Sequence, residues 1–135
     1  MSDFVVLDSS ILVDDLRTGI HSDRIAAIDG VVRNCSIVLA ELWRGARSSA
    51  DQEVLHALER NHPILTPTEK NWLESGRLLS KIHADKGFQP HKLRDLHFDI
   101  LIALTVRVHG ARLITSNRDD FELIRDYRDF KLELW

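Results

Sequence analysis

The chain of 135 residues is long enough for one domain with one sizeable core and too short for two independent cores. Its hydrophobic fraction of 44% and charged fraction of 29% are typical of a soluble globular protein, and no segment approaches the ~20 apolar residues of a membrane span. The formal net charge of -3 argues against binding nucleic acid through an overall positive field, although a local basic patch is compatible with it.

Short apolar runs alternate with longer helical patterns along the whole chain. Valine-rich runs are typical of strands buried on both faces of a parallel sheet, and apolar residues three and four apart predict helices. In chain order the predicted elements are a strand over Phe4–Leu7, a helix from Ser9 or Ser10 to Gly19, a helix from Ser22 or Asp23 to Gly30, a strand from Val31, a helix from Ser36 to Ala46, a helix over Ala50–Arg60, a strand over 62–65, a helix from Thr68 through Ile82, a loop over 87–91, a helix over Asp95–His109, a strand over Arg112–Ile114, a turn over 115–117, a short helix from Asp119 or Asp120, and a strand over 130–135. Strands separated by helices predict an α/β sandwich with a mainly parallel central sheet flanked by helices.

Two further features bear on the cellular setting. The N-terminus Met1-Ser2-Asp3 lacks the basic region and cleavage site of a signal peptide. Cys35 is the only cysteine, which excludes an intrachain disulfide and a thiolate metal cluster. We therefore expect a cytoplasmic protein with no membrane association, in which Cys35 is a small apolar residue at a strand end.

Three carboxylates lie in apolar surroundings, where an acid needs a specific reason to be present. Asp8 follows the first strand, Glu41 lies among apolar residues of a helix, and Asp99 precedes Ile100–Leu104. Burying an unpaired carboxylate is unfavourable, so such residues are usually paired, hydrogen-bonded, protonated or bound to a metal. Local alternatives exist: Asp8 could cap the following helix, Glu41 could pair with Arg44, and Asp99 could be an ordinary first-turn acid.

The predicted sheet offers one place where these acids could meet. In open α/β sheets, ligands bind beyond the C-terminal ends of the strands. Asp8 ends the first strand there, Asn117 follows the strand at 112–114, and helices that begin at this edge could bring Glu41 and Asp99 alongside. Converging carboxylates repel one another, which raises their pKa values unless a cation is present. Ligands that are all oxygen favour Mg²⁺ or Mn²⁺.

Four segments resemble the PIN-domain ribonucleases and, more narrowly, the VapC toxins of bacterial and archaeal toxin-antitoxin pairs. They are Val5–Ser10, Ala40–Gly45, Asp99–Ala103 and Leu113–Phe121, in the order and spacing of that family. The resemblance spans nearly the whole chain. It implies a single PIN-like domain over residues 1–135, folded as a three-layer sandwich. It also implies an endoribonuclease that depends on Mg²⁺ or Mn²⁺ and cleaves RNA, is silenced by a cognate antitoxin, and acts as a homodimer.

The same resemblance assigns roles to individual residues. By motif match, Asp8, Glu41 and Asp99 are the acids of the metal site, and Ser9 or Ser10 braces Asp8 or a bound water. Metal ions would orient the attacking water and neutralise charge on the phosphate. The antitoxin tail of such pairs often enters the active-site groove.

One position departs from the family pattern. The family often carries a fourth acid two residues after the threonine, and in this chain that residue is Asn117. An amide can still bind a metal-bound water, but it lowers the charge of the site. The fourth position is therefore open between Asn117 and Asp120, and Asp119 and Asp95 are less favoured candidates.

Two other functional classes compete with the nuclease. A phosphotransfer receiver or an aspartate-nucleophile phosphatase would need further acids near the first strand, and a phosphatase in particular would need an aspartate where Ser10 stands. A non-catalytic PIN-fold module that binds RNA or protein is the second alternative, and the three acids argue against it. Phosphate binding needs cations, which two segments could supply: Arg44 with Arg47, and 91–94 before Asp99. The histidines show no paired zinc spacing.

Overall fold

Five short strands form the central sheet of this protein, whose computed structural model describes residues 3–135. Met1 and Ser2, from the N-terminal segment considered above, lie outside that range. Within it, the strands are β1 (Phe4–Leu7), β2 (Val31–Cys35), β3 (Ile64–Leu65), β4 (Arg112–Thr115) and β5 (Lys131–Leu134), and the helices are α1 (Ser9–Thr18), α2 (Ser22–Ala26), α3 (Ser36–Gly45), α4 (Ser49–Asn61), α5 (Glu69–Lys86), α6 (Pro90–Val108) and α7 (Arg118–Tyr127). The predicted α/β sandwich is confirmed, and its sheet is parallel throughout.

The strand order β3-β2-β1-β4-β5 places β1 at the centre of the sheet. Val5 and Val6 are fully buried there, as expected for a strand covered on both faces. From β1 the chain moves outwards through β2 and β3, and then returns to the other side of β1 with β4 and β5. Ligands of such sheets bind at the C-terminal edge where the strand order reverses. The reversal lies between β1 and β4, where Leu7 pairs with Ile114.

Helix α6 contributes most of its middle section to the core. Residues 100–106 are all buried, which explains why this stretch is apolar around the whole helix rather than along one face. Asp99 immediately precedes this buried segment and is itself buried. Among the helices described, none is long and apolar enough to span a membrane.

The predicted start of α6 was wrong. The helix begins at Pro90 rather than at Asp95, because proline suits the first helical position, where its missing amide hydrogen has no intrahelical partner to lose. The predicted loop over 87–91 therefore shortens to 87–89, and Gly87 ends α5 with a φ of 64°. Asp95 consequently lies inside α6, where it cannot cap the helix.

Helix α2 is shorter than predicted, ending at Ala26 rather than at Gly30. Gly30 instead adopts a φ of 155° just before β2, a conformation that L side chains rarely adopt. A Cβ at this position would approach the Asp3 carbonyl oxygen and the Val5 side chain to 2.8 Å. The close approach aligns β2 with β1, since the Val31 amide donates to the same Asp3 carbonyl at 2.8 Å.

Candidate metal centre

An open cleft of about 420 Å³ lies at the C-terminal edge of the sheet, beside the ends of β1 and β4. Side chains from α1, α3, α6 and α7 complete its walls. All five site residues predicted from the sequence line this one cleft: Asp8, Glu41, Asp99, Asn117 and Asp120. The fold therefore collects, at the edge expected for a ligand site, residues that are distant in the chain.

Asp8 is buried at the end of β1 and is held by two hydroxyl groups. Ser10 Oγ donates to Asp8 Oδ2 at 3.0 Å, and Thr115 Oγ1 donates to the same oxygen at 2.7 Å. Asp8 occupies the N-cap position of α1, but its side chain makes no capping hydrogen bond. The carboxylate is therefore oriented towards the cleft rather than used to begin the helix, and Ser10 rather than Ser9 braces it.

Thr115 is a site residue that sequence reasoning missed, because it was read only as part of a turn. It is fully buried at the end of β4, and its Oγ1 also accepts a hydrogen bond from the backbone N–H of Asn117 at 3.0 Å. The signal was its position in the sheet. Leu7 pairs with Ile114, and Asp8 and Thr115 come directly after these two residues. Adjacent parallel strands place the residues after such a pair side by side.

Glu41 projects from α3 with one oxygen unsatisfied. Its Oε1 is buried and has no hydrogen-bond partner. Burial, followed by repulsion from Asp8, raises the pKa of Glu41 to about 7, and the positive charge of Arg44 only partly opposes this rise. The predicted alternative pairing with Arg44 is not formed among the described residues, since the Arg44 guanidinium instead lies over the Phe98 ring, 5.5 Å from its centroid.

Asp99 is the most strongly perturbed acid of the cleft. Burial raises its pKa to about 8, with further contributions from the charges of Asp8, Glu41 and Asp120, in that order. Lys92 acts in the opposite direction. Asn117 Nδ2 lies 3.4 Å from Asp99 Oδ2, which is a long hydrogen bond. Asp99 is thus in an environment that favours its neutral form unless a cation is close by.

Asn117 and Asp120 lie at the start of α7, which begins at Arg118, one or two residues before the predicted start at Asp119 or Asp120. Asn117, rather than Asp119 or Asp120, is the N-cap residue of α7. Its Nδ2 donates to Asp120 Oδ2 at 3.2 Å, and the other oxygen of Asp120 forms an ion pair with Lys92 of α6. Both oxygens of Asp120 therefore have partners.

The two remaining candidates for the fourth position are placed differently. Asp95 lines the cleft from α6 and is exposed, and its charge adds to the repulsion felt by Glu41. It shares a helix face with Asp99, as their spacing predicts. Asp119 is exposed and does not line the cleft.

The donor set of the cleft fits a hard divalent cation. Among residues 3–135, no three His, Cys, Asp or Glu side chains are grouped closely enough to enclose an ion by themselves. Mg²⁺ does not require such a cage, because it is usually held by one or two carboxylates and keeps water and phosphate as its other ligands. The buried, unpartnered Oε1 of Glu41 and the mutual repulsion of Glu41, Asp8 and Asp99 are the features that a cation would relieve.

Solved structures share this fold along the full chain. VapBC-1 from nontypeable Haemophilus influenzae contains a chain that matches with a TM-score of 0.71 and 21% identity, covering 98% of each chain. The DNA-bound VapBC from Salmonella typhimurium matches with a TM-score of 0.72 and 23% identity over 100% of this chain and 99% of that chain. VapBC2 from Rickettsia felis, bound to a promoter DNA fragment, matches with a TM-score of 0.72 and 24% identity, covering 98% of each chain.

Comparison at the level of sequence gives two results. The chain matches no curated protein. The family model described as the PIN domain matches residues 5–126, which include all five predicted site residues. Since this match covers most of the chain and agrees with the fold, the protein belongs to the PIN domain family.

Proposed function

We propose that this protein is a metal-dependent endoribonuclease and the VapC-type toxin of a toxin-antitoxin pair. PIN domain proteins of the VapC type are generally nucleases. The observation that carries the proposal is the buried Oε1 of Glu41, which has no hydrogen-bond partner and belongs to a side chain that lines the same cleft as Asp8 and Asp99. Leaving such an oxygen unsatisfied is costly, so its retention points to a ligand that supplies positive charge.

Asp8, Glu41 and Asp99 are the residues that would hold Mg²⁺ or Mn²⁺. Such an ion, when bound, activates a water molecule and neutralises charge on the scissile phosphate. Ser10 and Thr115 fix the Asp8 carboxylate through Oδ2, and since no side chain of the described residues donates to Oδ1, that oxygen would be available to the ion. Burial and the neighbouring acids raise the pKa of Asp99 to about 8, and a bound cation would favour its ionised form.

A second groove adds positive charge beside the acidic cleft. This groove of about 550 Å³ runs between α1, α3 and α4, and it shares Ser9, Val13, Glu41 and Arg44 with the cleft. Arg17, Arg44 and Arg47 line it, and none of the three is ion-paired with an acid of the described residues. Unpaired guanidinium groups beside the acids are suited to bind the phosphates of RNA that enters the cleft.

The proposed partners are RNA, a cognate antitoxin and a second copy of this chain. The antitoxin follows from the VapBC complexes whose chains share this fold over their full length. The observation that favours the competing function, a non-catalytic PIN-fold module, is Asn117 at the position where an acid is expected. Cleavage activity separates the two functions.

The direct test uses purified protein and structured RNA with Mg²⁺, with Mn²⁺ or with EDTA. We expect cleavage with either ion and none with EDTA. Asp8→Asn and Asp99→Asn each remove one metal-site charge, so both variants should lose cleavage. Asp119→Asn is the matched control, because Asp119 is exposed outside the cleft. Equal cleavage by the wild type and both site variants would assign the activity to a contaminant or another site.

Toxicity and its suppression test the biological part of the proposal. Expression of the chain alone should arrest growth, and coexpression with the small protein encoded next to it should restore growth. The Asp99→Asn chain should be harmless on its own while it still copurifies with that protein. Growth arrest by the Asp99→Asn variant would show that toxicity does not depend on the acidic cleft.

A further inference from the structure

The cleft has two halves that differ in how their carboxylates are satisfied. The α3 half consists of Asp8, Glu41 and Asp99, and it contains the unpartnered Glu41 oxygen. The α7 half consists of Asn117 and Asp120, which line the cleft, together with Lys92 of α6, which contacts Asp120 from beside the cleft, so that both oxygens of Asp120 have partners. We propose, building on the metal centre of the proposed function, that this protein binds one divalent ion in the α3 half and that the Lys92 ammonium group occupies the place of a second ion in the α7 half.

The position of Lys92 is the first support for this assignment. Its ammonium group contacts Asp120 Oδ1, and the two side chains are only 35% and 16% exposed. A partly buried ion pair is screened less by water and salt than an exposed pair, and it holds its geometry better. The Phe88 ring lies 6.0 Å from the same ammonium group and shields it further.

The second support is the orientation of the Asn117 amide. Its Nδ2 lies 3.2 Å from Asp120 Oδ2 and 3.4 Å from Asp99 Oδ2, so the amide group stands between the two acids. A nitrogen that carries two hydrogens cannot ligate a metal. Turning the amide over would direct its oxygen at two carboxylate oxygens, which is unfavourable. The Asn117 amide therefore supports Asp120 through Oδ2, and an ion in the α7 half would have to displace Lys92 from Asp120 Oδ1.

The third support is the contrast in charge between the halves. Asp8, Glu41 and Asp99 form no ion pair with a lysine, arginine or histidine among the described residues, so the α3 half stays short of positive charge. Asp120, by comparison, already has an ammonium partner. A single divalent ion would neutralise the carboxylates of the α3 half. Lys92 would remain available to face a phosphate oxygen of the substrate.

The experiment counts Mn²⁺ ions per chain by electron paramagnetic resonance titration of the whole protein, with no RNA present. We expect one Mn²⁺ in the wild type and two in Lys92→Met, which frees Asp120. Two-metal sites hold their ions about 3.5–4 Å apart, so a second ion would also produce a magnetically coupled spectrum. Lys92→Arg, which keeps the positive charge, should bind one ion, and Lys92→Met combined with Asp120→Asn should return to one.

Controls keep the result independent of folding and of the proposed function. Lys70→Met removes an exposed lysine from α5 and should bind one ion. Circular dichroism monitors the fold, and Lys92→Gln is the replacement if Lys92→Met does not fold. Two ions in the wild type, or one ion in both Lys92→Met and Lys92→Gln, would overturn the role of Lys92 while the nuclease proposal stands. No Mn²⁺ in the wild type would instead overturn the metal centre itself.

Discussion

In the α3 half of the cleft, Glu41 leaves a buried oxygen without a hydrogen-bond partner, whereas in the α7 half both oxygens of Asp120 are engaged. Both acids are carboxyl groups in one cleft, so residue type alone does not indicate which of them is the better candidate for a metal ligand. The unfulfilled hydrogen-bonding capacity favours Glu41. A carboxylate whose two oxygens already have partners holds those partners in place. A carboxylate with an unpartnered oxygen can still bind a ligand.

The largest expected effect comes from replacing one acid in each half. Glu41→Gln removes a charge from the α3 half, and we expect cleavage to fall by about 100-fold or more, since even residues that only support metal ligands contribute 10–100-fold. Asp120→Asn leaves the proposed ligands in place, and we expect a loss of about tenfold, because Lys92 loses its anchor. Initial rates of RNA cleavage at saturating Mg²⁺ measure both effects. Similar losses in the two variants would show that the halves do not differ in function.

The perturbed acids of the α3 half predict a pH dependence of stability for the metal-free protein. Glu41 and Asp99 have pKa values raised to about 7 and about 8, whereas ordinary values near 4 apply in the unfolded chain. Between about pH 4 and pH 8 the folded state therefore binds more protons than the unfolded state. The stability that these two groups contribute is complete at low pH and is lost as pH rises through their folded values.

Thermal unfolding in EDTA at pH 5, 6.5 and 8 measures this dependence. We expect Tm to fall by several degrees across that range, since about 1 kcal/mol corresponds to roughly 4 °C in a domain of this size. Mg²⁺ should reduce the fall, because it binds the deprotonated carboxylates of the folded state. Asp99→Asn should flatten the profile, and Asp119→Asn should leave it unchanged. A Tm in EDTA that is constant, or higher at pH 8, would contradict the raised pKa values.

Much of the fold could be predicted from local patterns. A strand that is buried on both faces of the sheet must be apolar throughout, and a helix with one buried face has apolar residues three and four positions apart. Phe4–Leu7 and Arg112–Thr115 are strands for this reason, and Thr68 begins α5 as predicted through its hydrogen bond with the Asn71 amide. The start of α6 was missed because Pro90 was read as a loop residue. Proline is common both in loops and at the first position of a helix, and only the packing of the residues that follow it decides between the two.

That these acids line one cleft was predictable, but their hydrogen-bond partners were not. Asp8 and Asp99 are recognisable because an acid beside an apolar run is unusual in sequence. The contact between Lys92 and Asp120 joins α6 to α7 across 28 residues, and nothing in the local pattern of either residue indicates it. The same holds for Thr115, whose hydrogen bond to Asp8 depends on which strands are neighbours in the sheet.

The smallest expected effect concerns the arginines of the second groove, which test where RNA enters the α3 half. If Arg17 and Arg47 each contact one phosphate, Arg17→Gln and Arg47→Gln should each weaken RNA binding by only a few-fold. Each should also reduce the slope of log affinity against log salt by about 0.7, the value for single-stranded nucleic acid. Fluorescence anisotropy with uncleaved RNA in Ca²⁺ measures both quantities. Arg77→Gln, on the exposed surface of α5, should change neither. Because a contact with phosphate is electrostatic, a loss of affinity with an unchanged salt slope would mean that the arginines support the groove without touching RNA.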